Sequence, residues 1–311
     1  MPNLQNVIRG LRDKPGYTIM RGLGRFGTIR SAVSGTRSLL HSAATRRRID
    51  DCRERLPQTL FTGVDPERFV SELQRDGVAF GLKLPAADVA EIRRWAEQNA
   101  CYADRNPTHG FRLDQRPEAE RALGKPILVA QYFNTSTDCP AVSRLLQDPF
   151  LELIATRYLG SLPTLVGTNL WWTFPLKASE ADRSRHAHLF HRDVDDFRFF
   201  KMFFYITDVE PGDGAHVCVV GSQAQPPIRK PGDRWNIRRY TDEEIASEYP
   251  ANRVVEICAP AGTGFAEDTL CIHKGLTPTR TPRLLLQVQY ALFDYGVMHD
   301  RRVPSELRSM A

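Results

Sequence analysis

Over the first 160 residues the apolar positions recur at helical spacing, whereas beyond them they fall into short alternating or continuous runs. Phe69, Val70 and Leu73 share one face of a helix that Asp65 caps, Pro66 opens and Gly77 stops. The run VAFGLKL predicts a strand, and Pro85 opens a second helix, AADVAEIRRWAEQ, with Val89, Ile92 and Trp95 at helical spacing. Trp95 reads as core. Between Pro140 and Leu159 the apolar positions predict two further helices, parted near Asp148 and Pro149. These helices look like a supporting layer.

The later runs are TLVGTNLWWTF, FRFFKMFFYITDV, AHVCVVGS, RVVEICA, TLCIH and RLLLQVQYALF. Gly, Pro and Asp split them at PGDG, GS and PAGTG, a pattern of antiparallel sheets in a sandwich or barrel. A long interruption from Gln223 to about Asn252 carries Arg229, Lys230, Arg234, Trp235, Arg238 and Arg239. Thr241 and Glu244 within it have capping-box spacing, so a short helix starts there. The pattern thus divides the chain into an N-terminal arm (1–50), one domain over 51–300 and a polar tail (301–311). Within that domain a helical lead-in covers 51–160 and a strand-rich portion covers 161–296.

Charge sharpens the first boundary. Residues 1–50 hold ten Lys or Arg against Asp13 and Asp50, whereas the whole chain is only +5. The rest is therefore slightly acidic, and no nucleic-acid affinity is expected. The arm interleaves Arg with Ile8, Leu11, Ile19, Leu23 and Phe26, which suits an amphipathic helix on an anionic membrane, an organellar transit segment, or a basic extension packed on the enzyme or a second subunit. No run of about eighteen apolar residues exists to span a bilayer. The six cysteines form no CxxC pair and three sit in apolar runs, which reads as reduced core thiols in a cytoplasmic protein. Oligomeric state is not legible.

The segment HAHLFHRDVDD holds the candidate chemistry. Residues two apart in an extended strand face the same way, so His191 and Asp193 offer an imidazole nitrogen and a carboxylate oxygen to one metal ion. His273, ending TLCIH before Gly275, is the best-placed third ligand. Two imidazoles and one carboxylate leave positions open on non-haem iron(II), whereas structural zinc closes its shell with four ligands. HxD alone is a weak motif in a chain with eight histidines. Its company makes it informative. Arg283, ten residues after His273, opens an apolar strand, where a guanidinium suits two-pronged binding of a carboxylate.

HxD, a later strand-end His and an Arg ten residues on resemble the Fe(II)/2-oxoglutarate oxygenases, and within them the phytanoyl-CoA dioxygenase-like branch. The segments FVSELQRDGVAFGLKLPAADVAEIRRWAE, PAVSRLLQDPFLELIATRYLG and FFYITDVEPGDGAHVCVVGSQ look like that family's lead-in helices and central strands, so the likeness runs from about residue 66 to 293. The resemblance implies an α+β fold with a double-stranded β-helix core, jelly-roll or cupin-like, supported by N-terminal helices. It implies iron(II) on His191, Asp193 and His273, with Arg283 on the distal carboxylate of 2-oxoglutarate and O2 as co-substrate. The implied products are succinate, CO2 and a hydroxylated small-molecule or lipid-like substrate. Related halogenases replace the metal-binding acid, so Asp193 favours hydroxylation. One departure is that Leu285, not Ser or Thr, lies two residues beyond Arg283. Thr281 or Thr277 is expected to take that task.

Other residues carry two readings. His186 and His188 touch substrate or metal, or merely precede the pair. Asp195 and Asp196 are expected to be solvated or salt-bridged. Trp171, Trp172 and Phe199 line a pocket or belong to core, and Arg234 and Arg238 receive an acidic substrate group in a lid or decorate a solvated loop. The competing functions are a cupin-type isomerase or zinc hydrolase on a related barrel, and a non-catalytic protein of this fold that docks on membranes or a partner.

Overall fold

The computed structural model describes residues 4–177, 179, 183, 186–224 and 239–310. Arg234 and Arg238 lie outside the described residues. The basic segment forms α1 (Leu4–Asp13), α2 (Pro15–Leu23), α3 (Gly27–Leu40) and α4 (Ser42–Arg55). It packs on the remainder of the chain. Met20 and Cys52 are buried, Arg48 and Arg55 meet Glu152 at 3.0 and 2.9 Å, and the Arg37 guanidinium lies 4.4 Å from the centre of the Phe293 ring. Ile8, Ile19, Leu39 and Leu40 stay exposed. Among the described residues no helix is long and apolar enough to cross a membrane.

Next come α5 (Pro66–Asp76), β1 (Val78–Lys83), α6 (Ala86–Gln98), β2 (Cys101–Ala103), β3 (Gly110–Phe111), α7 (Arg116–Leu123), β4 (Val129–Gln131), α8 (Thr135–Asp138), α9 (Pro140–Leu146) and α10 (Pro149–Leu159). The punctuation works as read: the Asp65 carboxylate accepts from the Glu67 amide, and Gly77 ends α5 at φ 73°. Gly77 is also required by space, because a Cβ there would collide with the Cys271 thiol. The short strands β2 to β4 lie within the helical lead-in, between residues 99 and 139, where the pattern predicts no particular element. Each is only two or three residues long, too short for alternation to register.

The strand-rich portion gives β5 (Thr164–Thr173), β6 (Phe199–Tyr205), β7 (His216–Val219), β8 (Val254–Ile257), β9 (Thr263–Glu267), β10 (His273–Gly275) and β11 (Arg283–Ala291). The helix Asp242–Glu248 starts at the capping box of Thr241 and Glu244. The PAGTG break takes in Thr263 and Gly264, the first two residues of β9, and none of the predicted runs includes Phe265–Glu267. In the structure the turn ends at Gly262, and the next five residues are wedged antiparallel between β1 and β6. The TLCIH strand in turn begins only at His273.

All named strand pairs are antiparallel, giving an eight-stranded sheet ordered β1-β9-β6-β11-β5-β4-β2-β3 and a three-stranded sheet ordered β10-β7-β8. Side-chain alternation sorts each central strand into two faces. Phe200, Met202 and Phe204 of β6, Leu284, Leu286 and Val288 of β11, and Leu170 and Trp172 of β5 join the main core with the helices. Phe203, Tyr205 and Leu285 point the other way and pack with Ala215, Cys218 and Ile257, toward the small sheet. That second face also carries the polar residues of the site.

Candidate metal centre

His191 and His273 are brought face to face by an antiparallel bridge in which each amide donates to the other's carbonyl at 2.9 Å. The next fixed point is Asp193, whose amide donates to the Thr269 carbonyl. Arg192 turns the opposite way and donates to the carbonyls of Leu270 and Ser222 at 2.7 and 2.8 Å, which locks the intervening residue. The HxD geometry read from the sequence therefore holds, although the segment is a pair of bridges and not a long strand. The ligand atoms of His191, Asp193 and His273 lie within 4.8 Å of one another. Asp193 Oδ1 is 3.6 Å from His191 Nε2, and Oδ2 is 3.5 Å from His273 Nε2.

The donor set fits a metal ion. Each histidine's Nδ1 lies 2.9 Å from a backbone carbonyl, of Leu189 for His191 and of Cys271 for His273. A carbonyl can only accept, so each Nδ1 bears the proton and each Nε2 presents a lone pair toward Asp193. Burial, reinforced by His273, pushes the His191 pKa well below its ordinary value and keeps that ring neutral. Burial acts the same way on His273, but the Glu267 and Asp193 carboxylates outweigh it and raise its pKa. Glu267 is fully buried, accepts from His216 at 2.6 Å, and His216 stacks on His273 at 5.5 Å.

Lys201 is a site residue that the sequence reading missed. It stands on the second face of β6 with Phe199 and Phe203, buried, and its ammonium donates to Asp193 Oδ2 at 2.6 Å and reaches Asp195 at 3.0 Å. Burial alone would raise the Asp193 carboxyl, yet Lys201 and His273 outweigh it and hold the pKa well below the carboxylate range. The visible signal was a lysine interrupting FFKMFFY, where one charged residue among aromatics in a central strand needs a partner. Asp195 is salt-bridged as expected, and also accepts from Gln289 at 3.2 Å and Tyr17 at 3.4 Å, so α2 reaches the site.

The triad opens into a cavity of about 320 Å³. Arg283 lies in its wall, buried, donating to the Gly214 carbonyl and, at 3.2 Å, to Thr173 Oγ1. Its Nε has no hydrogen-bond partner, and no carboxylate pairs with it among the described residues. Burial lowers the guanidinium's pKa from its usual value. Beside it, His188 Nδ1 lies 2.8 Å from Thr277 Oγ1, and burial together with Arg283 pushes the His188 pKa down to about 3. His186 meets Asp104 at 3.3 Å.

The structure places the remaining candidates apart. The Thr281 amide donates to Asp213 on the outer side of the turn, and Thr173 is the threonine at the Arg283 guanidinium. Trp172 faces the helical core, where its indole donates to Tyr132 at 2.9 Å, and Trp171 is the tryptophan of the cavity wall. Gln287 and Gln289 continue the wall along β11, Gln287 opposite Asn169 of β5. Their signal was the alternation R-L-L-L-Q-V-Q itself. The 223–252 segment returns to the site at Tyr240, which bridges Phe190. All six cysteines are free, and Cys258 alone is exposed.

No protein-family model and no curated protein matches the chain. Among solved structures, HygX from Streptomyces hygroscopicus with nickel and 2-oxoglutarate bound is similar with TM-score 0.50 at 15% identity, over 73% of this chain and 88% of HygX. The non-heme alpha ketoglutarate dependent epimerase SnoN from nogalamycin biosynthesis gives 0.48 at 18%, over 72% and 82%. AviO1 from Streptomyces viridochromogenes Tue57 gives 0.48 at 15%, over 74% and 96%. The chain thus shares the fold of HygX, and in this fold it carries a His-Asp-His triad able to hold a metal ion.

Proposed function

We propose that the chain is an Fe(II)- and 2-oxoglutarate-dependent dioxygenase of the phytanoyl-CoA dioxygenase-like group, built on a double-stranded β-helix, that hydroxylates a small molecule and releases succinate and CO2. The observation that carries this reading is Arg283. A guanidinium this deeply buried, without a carboxylate partner and in the same cavity as a three-ligand metal site, is a standing demand for an anion supplied from outside. 2-Oxoglutarate would meet it, its distal carboxylate held by Arg283 and its oxoacid end by the metal on His191, Asp193 and His273. HygX holds nickel and 2-oxoglutarate in the same fold.

His191, Asp193 and His273 would hold the iron, which supplies O2 activation coupled to oxidative decarboxylation of 2-oxoglutarate. The chain's own residues do the positioning. The Nδ1 hydrogen bonds of both histidines fix their tautomer, and Lys201, donating to Asp193 Oδ2, orients the carboxylate that would bind the metal. Gly214 and Thr173 aim Arg283, and Trp171 with Phe203 covers part of the cavity wall against water. Gln131, Asn169, Gln287 and Gln289 make the wall polar, which favours a hydrogen-bonding substrate over a lipid chain.

The test is succinate formation from 2-oxoglutarate on adding ferrous iron under air. Wild type is expected to produce succinate, at a low uncoupled rate without substrate, and Asp193→Ala is expected to abolish it. An Asp193→Ala protein that consumed 2-oxoglutarate as fast as wild type would sink the proposal. Tight zinc with indifference to 2-oxoglutarate would favour a hydrolase instead.

A further inference from the structure

The cavity contains more positive charge than the proposed reaction uses. Its wall holds Arg105, Lys201, Arg283 and Arg302, and Asp193 is its one acidic side chain among the described residues. Asp195 offsets Lys201 from behind. A divalent metal ion and Arg283 would be balanced by Asp193 and a bound 2-oxoglutarate dianion. Arg105 and Arg302 are then left over, and neither has an ion-pair partner among the described residues.

Each is placed by the fold. Arg105 follows Asp104 in the turn after β2, and both adopt left-handed backbone, at φ 60° and 53°. Non-glycine residues there cost on the order of 1–3 kcal/mol each, so two in succession mark a conformation held for a reason. It is held by the Asp104 carboxylate, which binds Lys125 and His186, and by the Asp104 amide, which donates to the Val129 carbonyl. The acid next to it in sequence is thereby committed elsewhere, and Arg105 lines the cavity. Its side chain is exposed to solvent, yet desolvation by the surrounding protein lowers its pKa and the field of Asp193 opposes that shift. Arg302 is clamped at its backbone by Asn134, whose side chain accepts from the Arg302 amide at 2.8 Å and donates to its carbonyl at 3.0 Å. Its guanidinium lies 4.8 Å from the centre of Phe133, another wall residue, and its Nη1 donates to the carbonyls of Arg301 and His299. Nε and Nη2 remain for a ligand.

We infer that Arg105 and Arg302 form a second anion site at the cavity mouth, which receives a phosphate or carboxylate group of the substrate. The substrate is then a polar anion that spans from this site, past Gln131 and Asn169, to the metal. This inference rests on the proposed 2-oxoglutarate reading, because that reading assigns Arg283 elsewhere.

The probes are glycerol 3-phosphate, glycerate and glycerol, titrated at constant ionic strength into protein loaded with nickel(II) and 2-oxoglutarate and followed by calorimetry and by intrinsic tryptophan fluorescence. One of the two anions is expected to bind at least roughly tenfold more tightly than glycerol, and which one identifies the group. Arg105→Gln and Arg302→Gln should each weaken that anion by about tenfold to a hundredfold, and Arg105→Lys should recover part of the loss. Arg283→Gln should leave it bound and instead weaken 2-oxoglutarate. Anions that bind no better than glycerol, or no worse to the Arg105 and Arg302 variants, overturn the inference. Anion binding that appears only without 2-oxoglutarate and vanishes in Arg283→Gln also overturns it. If Arg283→Gln keeps 2-oxoglutarate affinity, the co-substrate reading fails while the anion site is judged on its own variants.

Discussion

The two faces of the central strands β6, β11 and β5 share one backbone and obey different rules. On the helical face Phe200, Met202, Phe204, Leu284, Leu286 and Val288 are fully buried against the helices, and each contributes through area removed from water and dense packing. On the other face Lys201, Arg283, Gln287 and Gln289 alternate with apolar residues and line the cavity. There Lys201 and Gln289 are held by specific partners, Arg283 is left short of one, and Gln287 has none among the described residues. A single strand thus stores its stability on one side and its chemistry on the other. Substitutions should separate the two.

The sharpest contrast is Phe204→Ala against Gln287→Leu. Phe204 is fully buried and stacks on Phe61, so its truncation is expected to cost about 3–5 kcal/mol in denaturant unfolding. Gln287 makes no side-chain hydrogen bond among the described residues, so Gln287→Leu should change stability by less than about 1 kcal/mol while altering substrate affinity. Equal costs for the two would erase the distinction between the faces.

Lys201 is where the faces are coupled, because its charge is buried like core and paired like site. Lys201→Met removes the cation between Asp193 and Asp195 and is expected to destabilise the metal-free protein by about 3 kcal/mol. It should also weaken nickel(II) binding by roughly tenfold to a hundredfold, since Asp193 loses its orienting partner. Metal affinity unchanged in Lys201→Met, measured by equilibrium titration, would show that Asp193 orients itself.

The same contrast explains what could be read from the sequence. The capped helix after Asp65, the two helices parted at Pro149 and the strands of β5, β6 and β11 were legible because long apolar patterns average over many residues. The metal triad was legible because its ligand types are chemically restricted and HxD has a fixed geometry. β9 was hidden because its first residues, Thr263 and Gly264, look like turn, although Gly264 is there for the close approach of Phe204. Lys201 and Thr173 were hidden because their roles depend on which strands become neighbours. Trp172 and Trp171 show the limit most simply: two adjacent tryptophans face opposite ways, and only the register with Leu284 and Leu285 decides which faces the cavity.

A final, smaller test compares two carboxylates three residues apart. Asp193 keeps its charge because Lys201 meets it, whereas Asp196 is fully buried with no salt-bridge partner among the described residues, its oxygens accepting from the amides of Phe197 and Phe293 at 2.7 Å. Burial therefore dominates and raises the Asp196 pKa to about 6. A folded pKa above the unfolded value of about 3.9 means that the folded state binds the proton more tightly. The associated stability is fully present below about pH 4 and is lost as pH rises through about 6. Between pH 4.5 and 7 this group alone should cost about 2 kcal/mol. Asp196→Asn removes the titration and also one amide acceptor, so its absolute stability is a poor guide. The difference in pH slope between wild type and variant isolates the carboxyl, and parallel stability curves from pH 4.5 to 7 would show that the backbone amides hold Asp196 ionised after all.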